Sequence, residues 1–576
     1  MTNLNLSVLN GRNGFIIQGV SPDGNLGDSV SSAGDLNNDG LPDIIVGAPN
    51  VDISGTRNEG RVSVIFGSSS GFDSEFPVSS LDGSNGFGID GVSIEQRLGI
   101  SVSNAGDLNN DEIEDIVIGA NGTNNNRGDS YVIFGDTSIG SGIDLLSVDG
   151  DNGFKIDGIA EGDFFGGAVT NIGDLNDDGF EDIAIGANGV DANGSENAGA
   201  TYVIFGREEA FLDDLDLELL DGTSGFVISG DNSGDFSGVS VSGAGDFNGD
   251  GIDDLLVGAN LADPGERDRA GITYVIFGQS GGFTAELDLS NLGSDGFTIS
   301  GVADGDVSGS SVTAVGDVNG DGFADVGIGA PYADTDNPNA GQGYIVFGTD
   351  TGFTEGFFLL SSLDGSNGFT VDGINVDDRL GTSISAAGDV NNDGTDDFII
   401  SAIGTNEEAG TSYVIFGQDG EEPFDATLDL ADLNINTGFA IDGIVETDRS
   451  GESVSDLGDV NNDGIDDLLI GAPQASPRIG DSRDAIRDSG EAYVVFGRVA
   501  NLGDVDNDGA YTDTDAFLIS RVAVGLDAEF AAYPGIDPVL VGDVNSDGFV
   551  SALDSAIVES TVNGGTSSFI LADFDN

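Results

Sequence analysis

Seven copies of the segment Asp-x-Asn-x-Asp-Gly-x-x-Asp, or a near match to it, begin at Asp35, Asp107, Asp174, Asp246, Asp317, Asp389 and Asp459. They recur about every 70 residues, which marks one supersecondary unit copied in series rather than a chain wrapped around one conventional core. The most constant part of that unit is a cluster of oxygen ligands, not a hydrophobic stripe.

Three further constants travel with each acidic segment. Upstream lies Gly-Phe-x-[Ile/Val]-x-Gly, at residues 14–19, 86–91, 153–158, 225–230, 296–301, 368–373 and 438–443. A small-residue strand such as residues 28–33 (DSVSSA) then leads into the acidic loop. After the loop come an apolar run ending in Gly-Ala, such as residues 254–259 (DLLVGA), and an alternating strand ending in Phe-Gly, such as residues 274–278 (YVIFG). Four short β-rich runs separated by Gly, Asp and Asn turns, with no helical period between them, predict a four-stranded antiparallel sheet per repeat. Seven such sheets predict an all-β fold, a seven-bladed propeller over residues 1–498.

Ser, Ala, Gly and Val in the strand before each loop suit strands converging on a crowded axis. The run at residues 254–259 is apolar on both faces, as a strand sandwiched between blades must be. The first Gly-Phe segment precedes the first acidic loop, while the seventh repeat ends without one. The amino-terminal strand is therefore expected to complete the last blade and remove the open edge.

Calcium is a hard cation that takes six to eight oxygens, and alternating acidic positions in a tight loop aim several of them inward. In the first loop the expected ligands are Asp35, Asn37, Asp39 and Asp43 through their side chains and Leu41 through its carbonyl. The same reading gives Asp107, Asn109, Asp111, Ile113 and Asp115; Asp174, Asn176, Asp178, Phe180 and Asp182; and Asp246, Asn248, Asp250, Ile252 and Asp254. The last three sets are Asp317, Asn319, Asp321, Phe323 and Asp325; Asp389, Asn391, Asp393, Thr395 and Asp397; and Asp459, Asn461, Asp463, Ile465 and Asp467. Glu112 replaces the turn glycine in the second loop, which makes it the weakest expected site.

The pattern changes after residue 500. Two loops place their last acid at position twelve, in the EF-hand manner. Their expected ligands are Asp504, Asp506, Asp508, Ala510 (carbonyl), Thr512 and Asp515, and Asp543, Asn545, Asp547, Phe549 (carbonyl), Ser551 and Asp554. Each is followed by an apolar-periodic segment, which predicts a small helical domain of paired loop-helix units at residues 501–563 and a tail at 564–576. The expected cofactor is thus Ca2+, about seven ions in the propeller and up to two beyond it.

Composition removes many alternatives. The chain has no Cys and no His, so disulfides, zinc sites, Cys or Ser-His nucleophiles and haem ligation are excluded together. Asp and Glu total 103 against 16 basic residues, a formal charge of -87, which excludes a nucleic-acid binder that neutralises phosphates and repels anionic membranes. At 38% hydrophobic residues the chain can still bury a core. No apolar window reaches a membrane span and no secretory leader is visible. The cytosol holds too little free calcium for loops of this kind, so an extracellular or cell-surface setting, bacterial in character, is expected.

The combination of Ser/Gly-Val-Ser strand, Gly-Asp-x-Asn-x-Asp-Gly-x-x-Asp loop and following Gly-Ala, as around residues 246–259, resembles the FG-GAP repeat of integrin α subunits and many bacterial surface proteins. The resemblance covers residues 1–498 and implies a propeller that serves as a binding module. The duplicated loops at residues 503–525 and 542–562 resemble a dockerin, which implies docking on a cohesin-like partner.

Topology then separates two faces. The acidic loops join first to second strands, so second-to-third loops and links between blades must lie on the opposite face. There stand Arg57, Arg97, Arg127, Arg267, Arg269, Arg379, Arg449, Arg478, Arg483 and Arg487, ten of the fifteen Arg in the chain. Arg grips carboxylate, sulfate or phosphate bidentately, so Arg267, Arg269, Arg478, Arg483 and Arg487 are candidates for a face that binds an acidic glycan or protein acid. The plainer alternative is that they pair with neighbouring Glu266, Asp268, Asp481, Asp484 and Asp488 to shape long loops. Arg127-Gly128-Asp129-Ser130 spells an integrin-ligand tetrapeptide, but Gly128 is in register with the glycines that start third strands, which marks a coincidence.

Three functions remain open: a calcium-stabilised extracellular adhesion or ligand-binding module, a polysaccharide hydrolase or lyase using paired carboxylates, and a purely structural surface or matrix protein. The first is the leading expectation, with no catalytic residues assigned.

Overall fold

Each repeat folds as the pattern dictates. In the first, the inner strand Val30–Gly34 turns through the acidic loop into Asp43–Ala48, which pairs with Arg61–Ile65 and then the outer strand Gly86–Asp90. The antiparallel register sets Val30 opposite Val46, Ile44 opposite Ile65, and Val64 opposite Phe87. The computed structural model describes residues 3–497, except 54, 138, 140–141, 209–210, 336, 351–355, 419, 421–423, 435 and 478–484. The paired loop-helix domain expected at 501–563, its loop ligands and the tail lie outside the described residues.

Seven such sheets form a seven-bladed β-propeller. Every residue of Asp43–Ala48 is buried, because both faces of a blade's second strand meet neighbouring blades. The hydrophobic core is accordingly seven inter-blade clusters; one combines Ile172, Leu175 and Val203 of the third blade with Val241, Leu255 and Val257 of the fourth. The Gly-Ala ending of this strand has a steric cause. A Cβ on Gly47 would lie 2.0 Å from the Gly99 carbonyl oxygen of the next blade.

The serine-rich inner strands make a hydrogen-bonded girdle around the axis. Ser29 Oγ accepts from Val102 N–H at 3.0 Å, Ser101 from Val169 at 3.0 Å, Ser311 from Ile384 at 3.2 Å and Ser383 from Val454 at 3.2 Å. Ser453 accepts from Val30 N–H at 3.2 Å, carrying the girdle across the closure from seventh blade to first.

The ring closes as the repeat count demands. Gly14–Gln18 pairs antiparallel with Glu491–Val495 and becomes the outer strand of the seventh blade. One feature goes beyond the expected four strands: among the described residues six blades carry a short fifth strand, parallel to the outer one and donated by the following repeat. Glu286–Asp288, for example, pairs with the third blade's Gly225–Ser229. Its physical basis is a Leu-Asp-Leu segment. Leu287 and Leu289 bury themselves over the blade edge, and Asp288 caps the 3-10 turn Leu289–Asn291 by accepting from Ser290 N–H at 2.9 Å. In the sixth blade the fifth strand is Asn3–Asn5, so the amino-terminal segment supplies strands to two blades.

Candidate metal centres and the opposite face

The acidic loops are wound by their own carboxylates. Asp35 accepts from Asp39 N–H at 2.9 Å and Gly40 N–H at 2.8 Å, and Asp39 accepts from Leu41 N–H at 3.1 Å. Asp317 with Asp321 and Asp459 with Asp463 repeat the arrangement. Gly40 takes the positive φ of 93° that the turn requires.

The ninth residue has a second task in every loop. Asp43 is fully buried and its Oδ1 accepts from Gly67 N–H at 2.9 Å, tying the loop to the end of the third strand. Asp115, Asp182, Asp254, Asp325, Asp397 and Asp467 make the same bond with Gly135, Gly206, Gly278, Gly348, Gly417 and Gly497. The other oxygen is spent differently from loop to loop: that of Asp115 accepts from Leu108 N–H at 3.1 Å, whereas Asp43 Oδ2 and Asp397 Oδ2 are buried without a hydrogen-bond partner.

Electrostatics make these carboxylates demanding. Burial, reinforced by the loop's other two aspartates, pushes the Asp43, Asp115, Asp254, Asp325 and Asp397 carboxyls up to about 8 and Asp182 up to about 9. Asp467 is raised well above its ordinary value for the same reasons. Three carboxylates, one amide and one carbonyl per loop, with orphaned buried oxygens in two of them, form a hard-oxygen donor set that suits a divalent cation.

Among the described residues, however, no three acidic side chains converge as a preformed metal cage. The third-position amide instead donates to the ninth carboxylate: Asn37 Nδ2 lies 3.4 Å from Asp43 Oδ1 and Asn248 Nδ2 lies 3.2 Å from Asp254 Oδ1.

The second loop keeps this shape without the glycine. Glu112 adopts φ 70°, and its N–H still reaches Asp107 Oδ2 at 2.8 Å. Left-handed backbone at a non-glycine residue is strained, so Glu112→Gly is expected to stabilise the protein by about 1 kcal/mol. A urea midpoint that stays put or falls would refute this.

The eighth position holds a role that the loop motif conceals. Asp253, Asp396 and Asp466 accept from the first-residue N–H of the preceding blade's loop, at Asp174 (3.0 Å), Asp317 (2.8 Å) and Asp389 (2.9 Å). Glu114 accepts from Asn104 of its own blade at 2.7 Å. An acid at this position in five of the seven loops was the visible signal; its partner in three of them lies a whole repeat away.

In the second-to-third-strand loops and blade links several arginines have local partners, one of them, Asp268, among the acids the plainer alternative named. Arg57 lies 3.7 Å from Glu95, Arg269 3.8 Å from Asp268 and Arg449 3.4 Å from Glu452, while Arg487 pairs with Asp23 and Arg267 Nε donates to the Pro264 carbonyl at 3.2 Å. Arg478 and Arg483 lie outside the described residues. The Arg-Gly-Asp-Ser tetrapeptide is built into a blade: Asp129 is buried on the third strand and bonds Arg127 at 2.8 Å, and Arg127 also bonds Asp157 at 2.7 Å.

Comparison with known proteins agrees with the repeat. Residues 26–65, 237–276, 308–346, 380–415 and 453–495 match the FG-GAP repeat. The chain is 28% identical over 430 residues to the phosphatidylinositol-glycan-specific phospholipase D of Bos taurus, covering 71% of this chain and 47% of that protein. It is 30% identical over 236 residues to integrin alpha-5 of Xenopus laevis, covering 40% and 19%, and 33% identical over 157 residues to integrin alpha-4 of Xenopus laevis, covering 27% and 14%. The chain thus spans at most about half the length of these curated relatives. Among the described residues no helix is long and apolar enough to cross a membrane.

Proposed function

We propose that this FG-GAP propeller is a calcium-stabilised binding module that works outside the cell, with its ligand on the face opposite the acidic loops. The observation that carries the calcium assignment is the buried ninth-position aspartate, repeated seven times and left with an orphaned oxygen at Asp43 and Asp397. Such a group is expensive to bury unless a cation meets it. Bound calcium would supply the counter-charge. The chain's own residues do the rest: the Gly67-type N–H holds the ninth aspartate, and the first aspartate winds the turn.

The ligand-binding half of the proposal is supported by what the relatives share. A phospholipase and an integrin differ by name, and this chain, with its five matches to the FG-GAP repeat, is similar to both. A shared scaffold with unlike activities is better suited to recognition than to one conserved reaction. Catalysis by paired carboxylates is the second reading, favoured by the phospholipase match over 71% of the chain. Docking of residues 501–563 on a cohesin-like partner rests on their duplicated loops alone.

Calcium counting on the full chain by equilibrium titration tests the first half, with seven to nine ions expected. Two or fewer, with the seven propeller loops indifferent, would overturn it. Turnover of polysaccharides or of inositol-glycan lipids by the purified chain would instead favour the second reading.

A further inference from the structure

The fourth residue of every acidic loop is left-handed, and only in the fourth and fifth loops is it glycine. Asn38, Asn110, Asp177, Asn392 and Asn462 hold φ between 56° and 62°, while Gly249 and Gly320 hold 74° and 70°. Both glycines follow the third-position asparagine, so two of the seven expected amide ligands, Asn248 and Asn319, are spelled Asn-Gly. That dipeptide carries a chemistry of its own. The backbone nitrogen after an asparagine is a latent nucleophile toward the side-chain amide carbon, and glycine, with no Cβ, hinders its approach least.

Whether that nitrogen can act depends on where its N–H goes. In the first and sixth loops it is occupied: Asn38 N–H donates to the Asp35 carbonyl at 3.2 Å and Asn392 N–H to the Asp389 carbonyl at 3.3 Å. In the second, third and seventh it is open, but a Cβ on Asn110, Asp177 or Asn462 stands beside it. Among the described residues the Gly249 and Gly320 N–H groups have neither a hydrogen-bond partner nor a Cβ beside them. Other Asn-Gly pairs are held. Gly11, Gly122 and Gly189 donate to the carbonyls of Gly14 (2.8 Å), Gln96 (3.2 Å) and Asp163 (3.1 Å), and Gly14, Gly86, Gly153 and Gly368 begin outer strands, whose pairing fixes the backbone. The exception is Asn193-Gly194, at the exposed tip of a turn that Ser195 N–H closes on the Ala192 carbonyl at 2.8 Å. Asn248 has a further aid. Its Oδ1 accepts from Asp250 N–H at 2.9 Å, a donor placed where negative charge gathers when the amide carbon is attacked. Asn248 and Asn319 are only half-buried, so water reaches both.

We propose that Asn248 and Asn319 are sites of spontaneous deamidation that bound calcium suppresses. The Gly249 or Gly320 nitrogen bonds to the asparagine Cγ, the Cγ–Nδ2 bond breaks, and the amide nitrogen takes the glycine N–H proton and leaves as ammonia. Water then opens the resulting succinimide at one of its two carbonyls. One opening restores the main chain with aspartate in place of asparagine; the other leaves isoaspartate, with the main chain routed through the side chain. One water is consumed and one ammonia released, with no oxidant or other co-reactant. The inference rests on the calcium reading above and deepens it. A cation on the amide oxygen removes the side-chain rotation that the attack needs, so each loop is protected only while loaded. Isoaspartate lengthens the main chain between the first and ninth ligands, and the two loops thereby keep a record of time spent without calcium.

The test incubates the full chain in mildly alkaline buffer with calcium or with EGTA, and separates asparagine, aspartate and isoaspartate forms by peptide mapping with mass detection. In EGTA, Asn248 and Asn319 are expected to convert at least about tenfold faster than in calcium, the factor that a restraint of about 1.4 kcal/mol imposes on a rate. Asn193 should convert at one rate in both buffers, since no acidic loop holds it. Asn121 and Asn188 should stay intact in both, which shows the chain still folded, because their glycine N–H groups are bonded to Gln96 and Asp163. Gly320→Asn restores the residue found in the first, sixth and seventh loops and should stop conversion at Asn319 alone. The same change is barred at Gly249, where a Cβ would lie 2.5 Å from Phe323 Cε1.

Asn248 and Asn319 that remain amides in EGTA while Asn193 converts would overturn the proposal. Conversion of Asn121 and Asn188 in step with them would overturn it too, since that pattern marks unfolding of the whole chain. Equal rates with and without calcium would overturn the protection. A calcium titration of the same sample then separates the two failures: with seven ions bound the calcium reading stands alone, and with none bound it falls as well.

Discussion

Chelation with EGTA is expected to lower the melting temperature of the full chain by at least about 10 °C, and readdition of calcium to restore it. At a free concentration a hundredfold above its Kd, each ion contributes about 2.7 kcal/mol. Seven sites acting on a ring that unfolds as one unit therefore approach the order of 20 kcal/mol, more than the roughly 5–15 kcal/mol by which a domain is usually stable. The loops are placed to transmit this, since each ninth aspartate ties its loop to the end of the third strand, as Asp43 does to Gly67. Differential scanning calorimetry with and without chelator is the measurement, and magnesium should be a poor substitute, because its octahedral demand suits a flexible loop less well. A melting temperature indifferent to EGTA would refute the calcium assignment for all seven loops at once.

How much of this was legible in the chain follows from the range of each interaction. The acidic loops, the buried second strand and the ring closure were readable because each is written in consecutive residues and repeated seven times. The fifth strands were not: three residues are too short for periodicity, and the Leu287–Leu289 pair becomes meaningful only against the outer strand of another blade. The eighth-position acids escaped for the same reason. Asp253 is spelled next to Asp254 but bonds Asp174, a whole repeat away.

The arginine candidates, Arg267, Arg269, Arg478, Arg483 and Arg487, were chosen for their crowding in sequence, and two of them, Arg269 and Arg487, sit beside the acids Asp268 and Asp23. The left-handed residues that lead into the inner strands, from Asn25 to Arg449, were not legible either: they are spread along the whole ring, and no common residue type marks their position, only a common backbone angle.

That same distance along the chain makes the seam between first and last repeats the place where the ring is most easily opened. Phe15→Ala is expected to cost about 3–5 kcal/mol. Phe15 is fully buried, stacks on Phe72 at a centroid distance of 4.2 Å and contacts Phe496 at 6.1 Å, so its removal leaves a cavity bounded by both ends of the propeller. Phe87, also buried, holds the equivalent outer-strand position in the first blade. Phe87→Ala should cost a similar free energy but leave a closed monomer, because its strand is held by the chain on both sides.

At the seam the strand Gly14–Gln18 can detach and expose the edge of Glu491–Val495 to other molecules. Faster amide exchange across Glu491–Val495 and concentration-dependent association are therefore expected for Phe15→Ala alone. Equal exchange in the two variants would show the seam to be no weaker than any other blade.

The seam should also loosen with rising pH. Burial, with Asp448 and Glu75 adding repulsion against the Tyr493 hydrogen bond at 2.7 Å, pushes the Glu491 carboxyl from its ordinary 4.5 up to about 7. The folded state thus prefers the neutral acid, and its contribution is full below about 4.5 and lost as pH rises through about 7. Glu491→Gln keeps an acceptor for the Tyr493 hydroxyl and should flatten that slope; a slope that persists would place the titration elsewhere.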